Sequence, residues 1–133
     1  MKKWNKGKTL GAKHKEFQWN YDKNKGLTIK RTFKNGDNTT TFTNEEIEKI
    51  LNYTFKSTEV NLANNVSKLK NNTGKEGLGK FVYEKLDRNE VDAQSVSQLA
   101  AIFIDLNIFD YNKKIKNMAF WLENIDWMNR LNS

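Results

Sequence analysis

The 133-residue chain contains no cysteine, no proline, a single histidine and no long apolar run. Without cysteine there are neither disulfides nor thiolate metal ligands. The lone His14 excludes a histidine-rich metal site, and any Ser-His-acid or Cys-His arrangement would have to draw its base from a lysine-rich segment. The longest apolar run, Leu99 to Ile104, falls far short of the roughly 20 residues of a membrane span. The basic N-terminus has no apolar stretch behind it, so no signal peptide and a cytoplasmic location are expected. Absence of proline leaves no rigid linker between halves.

What is present is an uneven charge. Residues 1–15 hold six lysines and no acid, whereas residues 44–133 hold twelve basic against thirteen acidic side chains within a net charge of +7. Lysine and asparagine are common throughout, so the placement carries more information than the count. Cations gathered at one end concentrate a polyanion there and leave the remainder close to neutral.

Residues 1–15 read as a flexible basic arm. Phe17, Trp19 and Tyr21 then alternate with polar residues, and Leu27, Ile29 and Phe33 alternate with Thr28, Lys30, Thr32 and Lys34. Asn24-Lys25-Gly26 and Asn35-Gly36 supply turns, the second as a type I′ pair, and a Thr-rich strand runs from Asn38 to Thr43. The expectation is an α+β fold whose N-terminal part is a three-stranded antiparallel meander packed on a helix over 44–56. That helix is opened by the capping-box pair Thr43 and Glu46 and striped by Ile47, Ile50, Leu51 and Phe55. A shorter helix around Leu62 to Leu69 completes a unit of 16–70, and 71–77 is a polar loop. In 78–133, helices are expected over 78–86 and 92–106. A β-hairpin follows, Ile108–Tyr111 to Met118–Leu122, with the basic tip Lys113, Lys114 and Lys116, and then a helical turn that docks Trp127. The last two parts are read as able to share one core.

Helix, polar connector, second helix with Leu99-Ala100-Ala101 and then a hairpin with a lysine-bearing tip is an order that resembles the winged helix-turn-helix superfamily over residues 78–122. The resemblance implies that the second helix enters a major groove through Gln94, Ser95, Ser97 and Gln98, while the tip touches backbone. This helix departs from the pattern in carrying Asp92 and Asp105 and no lysine or arginine. A twisted meander ending in Thr-Phe-Thr-x-Glu-Glu-Ile and a helix, residues 16–56, is similar to the single-strand-binding transcription-coactivator fold. That likeness implies an open sheet face holding nucleic-acid backbone through Gln18, Asn20, Thr28, Lys30, Thr32 and Lys34. Trp4, in the arm, is the aromatic expected to stack on bases.

Gly74 to Lys80 matches the GxxxxGK part of a phosphate-binding loop, but Phe81 stands where Ser or Thr should hold magnesium. Nucleotide hydrolysis is therefore not expected, and what is left is a glycine-rich helix start at which Lys75 and Lys80 can meet one phosphate. Glu45, Glu46 and Glu48 fit a helix first turn and no metal spacing.

The function expected is a non-enzymatic nucleic-acid-binding protein, with DNA ahead of RNA: a small regulatory or accessory protein of a bacterium or mobile element, without cofactor or metal and self-associating as a dimer. Its contacts are expected from Lys2, Lys3, Trp4, Lys6, Lys8, Lys13, Lys15, Lys30, Arg31, Lys34, Gln94, Gln98, Lys113, Lys114 and Lys116. The alternative is a protein-interaction module, such as a phage or mobile-element inhibitor or adaptor, that acts through its winged-helix-like half and is favoured by the apolar 92–106 helix.

Overall fold

The computed structural model describes residues 4–11, 14–73 and 75–132, and the chain folds as α+β. Four strands, β1 (Asn5–Lys8), β2 (Glu16–Asp22), β3 (Gly26–Phe33) and β4 (Gly36–Phe42), form an antiparallel sheet in chain order. Because successive strand residues point to opposite faces, Phe17, Trp19, Tyr21, Leu27 and Ile29 share one face, and all are buried. The sheet thus has one strand more than expected. Part of the supposed flexible arm is β1, paired with β2 so that Lys6 lies opposite Gln18. An edge strand needs only backbone partners on one side, and its lysines sit comfortably in water. Gly7 lets the Phe17 ring lie against the strand, since a Cβ there would collide with the ring. The β3–β4 turn also differs from the expected pair. Phe33 faces Gly36, so Lys34 and Asn35 form the loop and Gly36 follows at φ +121°.

Beyond the sheet come α1 (Asn44–Ser57), β5 (Val60–Asn61), α2 (Val66–Asn71), α3 (Leu78–Glu84), α4 (Glu90–Gln94) and α5 (Val96–Asp105), then β6 (Phe109–Tyr111), β7 (Ala119–Leu122) and α6 (Trp127–Asn132). The capping box of α1 is formed in both directions, with Thr43 Oγ1 accepting from the Glu46 amide and the Glu46 carboxylate accepting from the Thr43 amide. Ile47, Ile50, Leu51 and Thr54 are buried. Phe55 is 69% exposed, because it lies roughly 40° further round the helix than Leu51.

The α1 residues Ile47, Ile50 and Leu51 join one cluster with Phe17, Leu27, Ile29 and Phe42 of the sheet, and α1 also meets β7 and α3, while α5 approaches β1 and α6 approaches β2. The start of α1 remains tied to the sheet: the Tyr21 hydroxyl donates to Asn44 Oδ1 at 2.6 Å and Asn44 Nδ2 donates to the Lys23 carbonyl at 2.7 Å. Trp127 meets the Tyr21 ring edge-on. β5 adds a third strand to the expected hairpin, in the order β5-β7-β6. The helix expected over 92–106 is divided at Ser95 into α4, capped by Asn89, and α5.

Val96, Leu99, Ala100, Ala101, Ile102 and Phe103 are each at most 1% exposed, so α5 is surrounded by its own protein. One contiguous apolar cluster runs from Phe17 to Leu131 through both halves. The apolar side chains of α5 are thus spent on the core and are not free for a partner helix, and of residues 92–106 those that still reach solvent include Gln94, Ser97, Ile104 and Asp105.

The glycine-rich stretch is also structural. Gly77 bridges Asn61 in parallel, and a Cβ on Gly77 or Gly79 would collide with the carbonyl of Asn61 or Ala63. The Gly79 amide donates to the Leu62 carbonyl at 2.8 Å, and Lys80 is paired with Glu76 at 3.1 Å. The Gly79 amide is therefore spent on the fold and Lys80 is engaged by Glu76; Gly74 lies outside the described residues.

Candidate nucleic-acid interface

The strand registers bring Lys6, Gln18, Lys30 and Thr39 into one row across the solvent face of the four-stranded sheet. Trp4 precedes β1 on the same face by alternation, and its ring lies under the Lys30 ammonium, 4.4 Å from the centroid. Asn20 pairs with Thr28 and Thr28 with Thr41 in the next row, where the two threonine hydroxyls bond at 2.9 Å. Lys8 is loosely paired with Glu16 at 4.0 Å, and Asp37 accepts from Thr32 at 2.8 Å, so the acids of this end are engaged. The middle of the face therefore offers two ammonium groups, an indole, amides and hydroxyls. That set suits phosphates and sugars with one stacking position.

At one end of this face the molecule opens into a cleft of about 900 Å³. Thr32 and Glu16 stand on its rim and Lys15 beside them. One wall is formed by Gln94, Ser97 and Gln98 from α4 and α5. The lining continues through Asn61 to Asn65 with Lys68 and Lys75, Asn64 Nδ2 donating to the Gln94 carbonyl at 3.0 Å, and includes Ile115 and Asn117 of the hairpin tip. Among the described lining residues four side chains are cationic, Lys15, Arg31, Lys68 and Lys75, against the single acid Glu16.

Arg31 is the unusual member. It lies on the apolar face of β3 and is only 6% exposed. Its Nη2 donates to the Val91 carbonyl at 3.1 Å and to Asn38 Oδ1 at 3.5 Å, while Nε has no partner among the described residues. Burial pushes its pKa below the ordinary guanidinium value, opposed by the charge of Asp92. Asp92, however, binds Arg88 at 2.9 Å and Thr40 at 3.0 Å. Among the described residues Arg31 has no carboxylate in ion-pair contact, and a buried cation in that condition is costly.

Of the residues expected to bind nucleic acid, Trp4, Lys6, Lys8 and Lys30 share the sheet's solvent face. Lys15, Gln94 and Gln98 share the cleft, Gln98 as a 7% exposed wall residue whose Oε1 accepts from Ser97. Arg31 is corrected from a surface contact to a buried one, since the period-two pattern puts it beside Ile29 and away from Lys30. Lys34 is exposed in the β3–β4 turn. Lys113 is held by Asp110 at 3.2 Å over the Tyr111 ring; this pair and the Tyr111 amide keep the Asp110 carboxyl below its usual range, the amide bond contributing most. Lys114 and Lys116 are exposed on the tip. Lys2, Lys3 and Lys13 lie outside the described residues. Lys68 and Asn64 were not foreseen, because no local pattern connects α2 with a strand 37 residues earlier in the chain, as the pair Arg31 and Lys68 requires. Compared with known proteins, the chain matches no family model, no curated protein and no solved structure.

Proposed function

We propose that this chain is a non-enzymatic nucleic-acid-binding protein, with DNA ahead of RNA, acting as a small regulatory or accessory factor. The observation that carries this reading is the row Lys6, Gln18, Lys30 and Thr39 with Trp4 packed on Lys30, an open face whose cations lie in register. Phosphate contact by such a row is independent of sequence, and the indole adds a base-tolerant stack. The winged-helix likeness of residues 78–122 enters as element order alone, with groove entry by α5 set aside because that helix is buried. The same burial takes the apolar side chains of α5 away from the protein-interaction alternative, which would then have to use other surfaces of residues 78–133.

The test is a titration of single-stranded and duplex DNA at several salt concentrations, comparing wild type with the double variant Lys6→Gln/Lys30→Gln. Counterion release requires affinity to fall steeply with salt, and loss of two phosphate contacts flattens the logarithmic slope by about 2. Substitution is preferable to truncation here, since removing residues 2–15 would also strip β1 from the Phe17 ring. An unchanged slope in the double variant, or no oligonucleotide binding at low salt, overturns the proposal.

A further inference from the structure

We infer that the cleft is a nucleotide pocket in which Arg31 answers a phosphate and the wall of Gln94, Ser97 and Gln98 receives the edge of an unpaired base. This rests on the nucleic-acid reading and adds to it the strand type and the position of one nucleotide.

Three observations lead there. First, Arg31 differs from the half-buried Arg88: Arg88 is paired with Glu46 and Asp92, whereas Arg31 is buried and lines the cleft with Nε unpartnered and no carboxylate in contact among the described residues. A guanidinium presents a planar fork suited to phosphate oxygens, and an anion entering the cleft supplies the countercharge that the fold leaves out. Second, the lining joins cations to side-chain amides. Asn64, Gln94 and Gln98 offer both donors and acceptors, the combination that reads base edges. Third, Leu10, Leu62 and Met118 supply apolar lining for a flat ring, in a space within the range of small-ligand pockets. A base inside a duplex is stacked and paired and has no free edge to offer such a wall. Thr32 and Glu16 belong both to the rim and to the end of the solvent face, so a strand lying along Lys6 and Lys30 has a short path into the cleft.

The experiment uses the full chain with three probes at fixed salt: a labelled oligothymidylate, the same strand in a duplex, and thymidine monophosphate, with inorganic phosphate as control. Two cleft variants are compared, Arg31→Met and the exposed pair Lys68→Ala/Gln94→Ala, the second keeping the test valid if the first fails to fold. Each is expected to weaken single-strand binding about tenfold and leave duplex binding within about twofold. Competition by thymidine monophosphate, lost in both variants, shows that a free nucleotide suffices. Single-strand loss in both variants without such competition shows that the pocket takes its nucleotide from within a strand. Either pattern supports the pocket. It is overturned if both cleft variants bind the single strand as wild type does, or if inorganic phosphate competes as well as the nucleotide. Failure of the solvent-face reading is distinguishable, because then Lys6→Gln/Lys30→Gln binds duplex like wild type while the cleft variants still lose the mononucleotide.

Discussion

The three arginines of this chain meet three different surroundings. Arg88 stands where the four-stranded sheet, α1 and α4 converge. Its Nη1 reaches both Glu46 oxygens at 2.7 and 2.9 Å and the Thr41 carbonyl at 3.0 Å, while Nε holds Asp92 at 2.9 Å. Burial works against this cation, yet the bonds and charges of Glu46 and then Asp92 outweigh it and raise its pKa. Arg31 touches the neighbouring residue of the same helix, through the Val91 carbonyl, and among the described residues has no carboxylate in ion-pair contact. Arg130 lies near the surface with Asp126 at 2.7 Å and the Leu106 carbonyl at 2.9 Å. A guanidinium that joins elements is saturated by the fold, so one that is buried and only partly bonded beside a cleft points to something outside the fold.

Arg88→Met carries the largest expected effect. It leaves Glu46 and Asp92 half-buried without their common cation, at a cost of about 3 kcal/mol by urea unfolding. In a domain of this size that is a fall of roughly 10 °C in melting temperature. Arg31→Met is expected to stay within about 1 kcal/mol of wild type, since an apolar chain of similar volume replaces a charge lacking an ion pair. If the two variants lose comparable stability, Arg31 is a structural tie like Arg88 and the contrast between them is broken.

The same contrast shows which parts of the molecule were legible beforehand. Strands β2 and β3, the Thr43 capping box and the β6–β7 hairpin arise from spacings of a few residues, and these were read correctly. β1 was missed because its stability comes from its partner's backbone, not from its own polar side chains. Arg31 was misplaced through its chemistry and not its position: the alternation of Leu27, Ile29 and Phe33 already puts residue 31 on the apolar face, but a cation is ordinarily assigned to solvent. The cleft could not be read at all. Lys15, Arg31, Lys68 and Gln98 meet only after the core has brought the halves together.

A smaller effect separates the two duties of Glu46, which binds both the Thr43 amide and Arg88. Thr43→Ala removes the acceptor for the Glu46 amide but leaves the carboxylate on Arg88. The expected loss is about 1 kcal/mol. A double-mutant cycle with Arg88→Met reports how far cap and hub are coupled. Coupling near zero means that Arg88 does not depend on the helix cap for its partner.

The smallest effect concerns Arg130 and is best seen through pH. Its hydrogen bond, and then its charge, lower the pKa of Asp126 below the usual carboxylate value. A depressed folded-state pKa means that the pair stabilises the protein above the unfolded value of about 3.9, and that this stability is lost as pH falls through the lower folded value. Wild type is therefore expected to melt slightly higher than Asp126→Asn near neutral pH, with the two converging as pH falls through the lowered folded-state value. The pair is exposed, so the gap at neutral pH should also shrink in high salt. A gap that persists in acid assigns the effect to the start of α6 and not to the ion pair, and a large one places Arg130 with Arg88 among the cations that hold the elements together.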